Sequence, residues 1–433
     1  MSARDTALAA LIACRRQGAW SDGVLKEYLS RGRLDRRDAA LATRLVYGVM
    51  QNRSLLDFWI ACHLRGKVSA LEPAVLDILR LAVYQLRFLD RIPSSAAVNE
   101  AVAQTRRAAN PRAAALVNAV LRAILRDPEA FALPEDLPTR YSHSAELVEL
   151  LRQSVGEAEL EPLLASDNEI PPIFVQVNTC RANAETVRVS LESEGFAPEA
   201  VPGFPGSFAL SGFAPEQSAA FRAGWIYAQD CAAKLAVLAA APEPGMDVLD
   251  CCAAPGGKSF AAAICMENRG SVTACDIHPH KRGLIERGAE RMGLSCVTAL
   301  TADASVPNPV WKDRFDLVIA DVPCSGLGVI RKKPDIRWKD LSALAGLPAV
   351  QTRILAAQAD HVRPGGVLLY STCTVLKREN EAVVAAFLAA RPDFSAEAFA
   401  PVPGVSAPEG MCTLLPRMLG TDGFFIAKFR RKP

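Results

Sequence analysis

The chain has 433 residues, of which half are hydrophobic, and it carries a formal net charge of +2. This length exceeds one ordinary domain, so two or three domains are expected. No apolar run reaches the roughly 18 residues of a membrane span, and no secretory signal pattern is present. The 12 cysteines have no regular spacing and form no C-x-x-C pair, which disfavours both a disulfide framework and a zinc site. A cytoplasmic location is therefore expected.

The charge is distributed unevenly along the chain. Residues 1–130 hold 20 Lys/Arg and 12 Asp/Glu, a net of +8, whereas the remainder holds 29 and 35, a net of −6. A basic first part on a nearly neutral protein favours a polyanionic partner such as a nucleic acid. An ordinary arginine-rich helix surface is the alternative.

The first 128 residues have apolar side chains at helical spacing from residue 3 onward, which predicts an all-helical bundle. Residues 129–145 have the composition of a linker, and residues 145–240 combine strand and helix patterns. From residue 245 onward, short apolar runs alternate with helical patterns, which predicts a parallel sheet. We therefore expect an all-α domain over 1–130, a linker and small α+β subdomain over 131–240, and an α/β Rossmann-like domain over 241–433.

The predicted strands of the last domain are short apolar runs. They are Val248–Asp250, Ser271–Asp276, Cys296–Leu300, Phe315–Ala320 and Gly366–Tyr370. The segment Gly423–Phe429 alternates and predicts an antiparallel edge strand. Ligands of doubly wound sheets bind at the carboxyl ends of such strands.

A glycine-rich loop follows the first of these strands and opens a helix. Glycines allow a ligand to approach the backbone, and the helix amides face that ligand. A phosphate-binding P-loop is excluded because its pattern requires glycine where Cys252 stands, and the dinucleotide fingerprint is absent. Asp276 ends the second strand, where carboxylates receive ribose hydroxyls, and Asp303 ends the third strand, where it could accept from an adenine amino group. A nucleoside ligand of another kind is therefore expected.

Two cysteines follow two later strands directly. Cys324 lies in Asp321-Val322-Pro323-Cys324-Ser325-Gly326, and Cys373 lies in Ser371-Thr372-Cys373-Thr374. An exposed, activated thiol can add to C6 of a pyrimidine and make C5 nucleophilic toward a methyl donor. Asp321 is suited to hold a proton against N3 as negative charge builds there. The alternative is that both cysteines are small core residues, and the residues alone do not rank the two thiols.

These motifs resemble, in order and spacing, the RNA cytosine-5 methyltransferases. The carrying residues are Val248–Ser259, Asp276, Asp303, Asp321–Gly326, Ser371–Thr374 and Asp422–Phe425. The segment Gly328–Trp338 is similar to the RsmB (Sun/Fmu) family, which acts on 16S rRNA. The first domain, with Leu45-Val46-Tyr47-Gly48 and Ala97-Val98-Asn99-Glu100, resembles the RNA-binding NusB fold.

The resemblance implies S-adenosyl-L-methionine as methyl donor. It implies catalytic roles for Cys373 as the nucleophile, for Cys324 in product release and for Asp321. The positions matching its cofactor site are Cys252, Ala253, Ala254, Pro255, Gly256, Gly257, Lys258, Asp276, Asp303 and Asp321.

The implied partner is 16S rRNA. No metal and no membrane are expected, and a monomer is expected, although the sequence does not determine the oligomeric state. Candidate RNA contacts are Lys258, Arg331, Lys332, Lys333 and Arg337, because the last four form a basic stretch soon after Cys324; a solvated loop is their alternative. Three other functions stay open: the same chemistry on tRNA, a non-catalytic RNA-binding assembly factor, and a nicotinamide dehydrogenase.

Overall fold

The computed structural model describes residues 2–17, 21–32 and 34–433, which form two compact units. Unit 1 contains the chain up to Ile170 together with the segment Ile330–Lys339. Unit 2 contains Pro171–Val329 and Asp340–Pro433. The first division thus falls at residue 170, and not at the expected boundaries after 130 and 240. The three-domain boundaries stay a prediction.

Unit 1 is helical, as the apolar spacing predicts. Its helices are α1 Ala3–Gln17, α2 Ser21–Gly32, α3 Arg36–Gln51, α4 Arg53–His63, α5 Pro73–Phe88, α6 Ser94–Ala108, α7 Pro111–Arg126, α8 Leu137–Tyr141, α9 Ala145–Val155 and α10 Glu157–Ser166. Helix α5 begins with a proline at its first position, where a missing N–H has no cost, and buries ten of its 16 residues. It packs against α1, α3, α4, α6 and α7 and so forms the centre of the bundle.

The segment predicted as a linker is part of this unit. It contains α8, and His143 beyond that helix is buried, with Nε2 3.1 Å from Oδ2 of Asp167. Helices α9 and α10 also lie in unit 1. The expected subdomain is therefore divided: its first helices lie in unit 1, whereas its strands and later helices lie in unit 2.

Unit 2 begins with a small antiparallel sheet in the order β2-β3-β1-β4. Its strands are β1 Ile173–Val177, β2 Glu199–Ala200, β3 Ser207–Leu210 and β4 Ile226–Ala228. The helices of this region are α11 Ala184–Ser193, α12 Ala219–Arg222 and α13 Cys231–Ala240.

The second sheet of unit 2 carries the predicted nucleotide-type topology. Its strands are β5 Asp247–Asp250, β6 Ser271–Asp276, β7 Val297–Thr301, β8 Phe315–Asp321, β9 Val362–Thr372, β10 Phe394–Ala396, β13 Met411–Leu414 and β14 Phe424–Arg431, while β11 Phe399–Val402 and β12 Val405–Ala407 form a separate ribbon. The remaining helices are α14 Gly257–Cys265, α15 Pro279–Met292, α16 Leu347–Ala359, α17 Glu381–Ala390 and α18 Pro416–Leu419.

The strand order is β10-β14-β9-β8-β5-β6-β7, with β13 also paired to β14. The five strands from β9 to β7 are parallel, and β14 is antiparallel to β9. The predicted edge position of the last strand is wrong, because β10 and β13 both pair with β14 and cover it. Strands β6 and β7 follow on one side of β5, and β8 and β9 lie on its other side. The strand order therefore reverses between β5 and β8, and such sheets bind ligands at this point.

Candidate active site

The carboxyl ends of adjacent strands bring the predicted polar residues to one edge of the sheet. Asp250 ends β5 and Asp321 ends β8, and these two strands are paired neighbours. Strand β9 lies on the other side of β8, with Ser371 opposite Asp321, and Cys373 follows it directly. The site is therefore centred on the switch point of the sheet.

Asp321 is held by two partners from two other elements. Nζ of Lys258, at the start of α14, lies 2.6 Å from Oδ2 of Asp321, and the Ser371 hydroxyl donates to Oδ1 at 2.8 Å. Lys258 is only 8% exposed, and its ammonium also lies 5.0 Å from the ring centroid of Phe424. Such a short, largely buried pair fixes a positive and a negative group together in the site.

The two predicted thiols are in contact. Sγ of Cys324 lies 3.2 Å from Sγ of Cys373, and both side chains are half-buried. The pKa of Cys324 is raised well above its usual value by the hydrogen bond with Cys373, then by burial and the charge of Glu379. Cys324 is therefore a neutral thiol at neutral pH.

A buried carboxylate, that of Glu379, holds the Cys324 turn. Oε2 of Glu379 accepts from the backbone N–H of Ser325 and from Nε2 of Gln351, both at 2.9 Å. The same Gln351 amide donates to the carbonyl of Pro323 at 3.0 Å. The turn is thus bound on both sides of Cys324. The only sequence signal for this role was a polar cluster directly after the second thiol.

The glycine-rich loop has the features of a ligand cradle. Gly256 has φ 114°, and a Cβ there would lie 2.3 Å from the ring of Phe260, so only glycine fits. Oδ2 of Asp250 accepts from the Ser259 hydroxyl at 2.7 Å. Burial raises the pKa of Asp250 to about 7. Oδ1 of Asp250 and Oε1 of Gln229 are buried and have no hydrogen-bond partner among the described residues. Unmatched acceptors beside this loop fit a ligand that brings hydroxyl or amino donors.

The other two cofactor candidates lie beyond neighbouring strands. Oδ1 of Asp276, at the end of β6, accepts from the backbone N–H of His278 at 2.9 Å, and Nζ of Lys281 lies 3.7 Å from Oδ2. Asp303, after β7, is exposed, and Oδ1 accepts both donors of Ser305, which lowers its pKa. Each carboxylate keeps one oxygen suited to a ribose or adenine donor.

Two of the residues predicted to contact RNA are too deeply buried to reach an RNA strand. Arg337 is fully buried in unit 1, and its guanidinium donates to Gln51 O, Tyr141 O, Asp167 O and Asn168 Oδ1. Arg331 is 4% exposed. The predicted contact with an RNA strand does not hold for Arg331 and Arg337, because both side chains are buried. Lys332 is half-buried and Lys333 is exposed.

Two features are absent from the described residues. No helix is long and apolar enough to cross a membrane. No three His, Cys, Asp or Glu side chains are grouped in a way that could hold a metal ion.

Two family models match the chain. Residues 237–430 match the 16S rRNA methyltransferase RsmB/F model, and residues 1–126 match the NusB family. Together with the sheet order and the site, these matches define a methyltransferase joined to a NusB domain.

Relatives match along the whole length. A probable ribosomal RNA small subunit methyltransferase B of Bacillus subtilis is 36% identical, over 100% of this chain and 99% of the relative. The ribosomal RNA small subunit methyltransferase B of Vibrio cholerae is 34% identical, over 90% of this chain and 89% of the relative. The crystal structure of PH0851 superposes with a TM-score of 0.79 at 27% identity, over 98% of both chains. The chain belongs to the RsmB/F family of 16S rRNA methyltransferases.

This membership confirms the predicted family, fold class and enzyme class. S-adenosylmethionine is the cofactor of this methyltransferase family, and the residues around Gly256 fit its hydroxyl and amino groups. The roles of individual site residues stay predictions.

Proposed function

We propose that this enzyme methylates C5 of a cytosine in 16S rRNA through a covalent bond between Cys373 and C6 of the base. The observation that carries the proposal is the contact of two half-buried thiols, 3.2 Å apart, beside the Lys258–Asp321 pair. A single buried thiol would have a packing explanation, but two thiols in contact at the ligand-binding edge of a parallel sheet have a chemical one.

Cys373 acts as the nucleophile in this scheme. Its thiol releases a proton to solvent, the resulting thiolate forms the S–C6 bond, and the electron pair of the C5–C6 double bond becomes available at C5. When bound, S-adenosylmethionine supplies the electrophilic methyl group that C5 takes up. The carboxylate of Asp321, paired with Lys258, accepts a hydrogen bond from a proton taken up at N3 and so holds it there, where negative charge builds during the addition.

Cys324 serves product release. After methylation C5 carries both a methyl group and a hydrogen. Once the neutral thiol of Cys324 has released its own proton to solvent, the resulting thiolate removes that hydrogen from C5 as a proton, which it binds strongly because the pKa of Cys324 is raised. The freed electron pair restores the C5–C6 double bond, and the S–C6 bond breaks to return the thiolate of Cys373.

The substrate base must be unpaired or extruded to reach such a site. Lys332 and Lys333 stay candidates for phosphate contacts, and Lys258 for a contact to the base. Because phosphate contacts release counterions, affinity should fall with increasing salt. With ribosomal RNA as the substrate, we place the enzyme in the cytoplasm.

Substitution of the two thiols tests the covalent scheme. Cys373→Ala should abolish methyl transfer, and Cys324→Ala should accumulate a protein–RNA adduct that survives a denaturing gel. Cys62→Ala, which removes an exposed thiol of α4, should behave like the wild type. If Cys324→Ala turns over normally and leaves no adduct, the assignment of the two thiols is wrong.

The same assay separates the other functions left open. Labelled methyl transfer to 16S rRNA but not to tRNA supports the proposed substrate, and the reverse result favours tRNA. No transfer to either RNA, with RNA still bound, would favour a non-catalytic assembly factor.

A further inference from the structure

A cavity of about 490 Å³ lies within unit 1, away from the residues of the site described above. Its apolar side is formed by Leu11, Val49 and Met50 on α1 and α3. Its other wall includes Trp338 and Lys339 from the inserted segment Ile330–Lys339. The volume lies in the range of small-molecule sites, about 300–1,000 Å³.

The charges around the cavity are predominantly positive. Arg15, Arg53, Arg80 and Lys339 line it, against two carboxylates, Asp77 and Asp335. An excess of cationic side chains disfavours a metal ion and favours an anion.

The carboxylate of Asp77 is already used by two of these arginines. Nη1 of Arg80 lies 2.9 Å from Oδ1 of Asp77, and Arg80 also binds both oxygens of Asp57 at 2.7 Å. Arg15 donates to Oδ2 of Asp77 at 3.2 Å. Both carboxylate oxygens of Asp77 therefore already have arginine partners.

Arg53 differs from these arginines. Its guanidinium carbon lies 5.1 Å from the ring centroid of Trp338, and among the described residues it has no hydrogen bond and no ion pair. Burial and the positive charge of Arg80 lower its pKa. A guanidinium with unused donors, beside another positive charge, is a site for anionic oxygens, and phosphate matches its geometry.

Among the described residues, the thiol that lines the cavity is that of Cys14, and it is not a reactive one. Burial and the charge of Asp335 raise the pKa of Cys14 to about 11. The cavity is therefore suited to non-covalent binding.

We propose that this cavity binds one nucleotide, with the base on the apolar side and the phosphate on Arg53. RNA recognition commonly uses such pockets, in which an unstacked base meets apolar or aromatic side chains and guanidinium planes. A free nucleotide has the same chemistry, but the net charge of +8 over residues 1–130 favours an RNA strand. The inference rests on the proposed RNA substrate and adds to it a second anchoring point, outside the catalytic unit.

Binding of protein-free 16S rRNA by full-length Arg53→Met, measured over a series of salt concentrations, tests the proposal. The dissociation constant should rise about tenfold, as expected for the loss of one charge-assisted contact. The slope of log affinity against log salt should fall by about 0.7 to 1. The kcat at saturating RNA should stay unchanged. Arg122→Met, which removes the same charge from an exposed position of α7, should change affinity less than twofold.

Three results would overturn the inference. Equal losses of RNA affinity in Arg53→Met and Arg122→Met would indicate that RNA responds to the overall positive charge and not to a specific site in the cavity. Unchanged RNA binding by Arg53→Met would show that the cavity does not bind RNA through this residue. Stabilisation of the wild type by uridine monophosphate that is lost in Arg53→Met, without any change in RNA binding, would identify a free nucleotide as the ligand. Absence of methyl transfer by the wild type would instead refute the proposed function, and the binding measurement would still stand.

Discussion

At the scale of single residues, Asp250 lies just before the glycine-rich loop, and burial of its carboxyl group affects the stability of the fold. The carboxyl group is completely buried, and burial raises its pKa from 3.8 to about 7. Between these two values the folded chain holds a proton that the unfolded chain has released. The stability contributed by this group therefore falls as the pH rises from about 4 to about 7.

Asp250→Asn should remove this pH dependence, because the amide keeps an acceptor for Ser259 and never ionises. Relative to the wild type, its free energy of unfolding should increase between pH 4 and pH 7 and then level off. The full difference is at most about 4 kcal/mol, at ~1.4 kcal/mol per pKa unit. Urea unfolding at several pH values measures it. A stability difference that does not change with pH would contradict a raised pKa at this position.

The sequence predicted single residues well where backbone topology decides their position. Asp321, Cys324 and Cys373 follow strands, and in a parallel sheet all strand ends meet at one edge. Glu379 and Gln351 were missed as supports of the Cys324 turn, because their role depends on packing between a loop and a helix far apart in the chain. Burial of Arg337 was missed for the same reason.

At the scale of elements, three loops of unit 2 meet backbone to backbone next to the thiols: the loops after β8 and β9 and the loop before β14. The N–H of Gly328 donates to the carbonyl of Cys373 at 2.9 Å, and the N–H of Gly423 donates to the carbonyl of Gly328 at 2.8 Å. A Cβ on Gly328 would lie 2.0 Å from the carbonyl oxygen of Gly423. No side-chain rotation can relieve a contact with backbone, so one loop would have to move.

Gly328→Ala should therefore displace the Cys324 loop, in which the N–H of Gly328 binds the carbonyl of Cys373, and lower kcat by about 100-fold, the cost of an error of about 1 Å in a catalytic group. Cofactor affinity should change little, because the Gly256 loop is a separate element. Gly346→Ala is the matched control, since a Cβ there meets nothing within 4 Å. Similar activity in the two variants would mean that the loop contact does not position the thiols.

Element types and order were predictable from apolar periodicity, and the observed strands differ from the predicted ones by a few residues at their ends. The place of β14 inside the sheet was not predictable. Its alternating pattern fits an edge, but β10 and β13 are only three and four residues long. Strands so short carry almost no periodic signal in the sequence.

At the scale of the whole molecule, the chain contributes to unit 1 a segment that lies between the two thiols in the sequence. Residues 330–339 follow the Cys324 turn, yet they pack with the helical bundle. Because these residues follow the Cys324 turn in the sequence, their basic side chains were expected to contact the RNA strand. The structure instead uses Arg337 as an internal anchor, and burial lowers its pKa to about 10.

Arg337→Met should destabilise unit 1 selectively by about 3–5 kcal/mol, because it leaves four buried acceptors without their donor. Hydrogen exchange followed by mass spectrometry should detect loss of protection in α3 and α10, while β5 and β8 keep theirs. Lys333→Met alters an exposed residue of the same segment and should leave protection unchanged. If the two variants exchange alike, the buried hydrogen bonds of Arg337 do not hold the segment in the bundle.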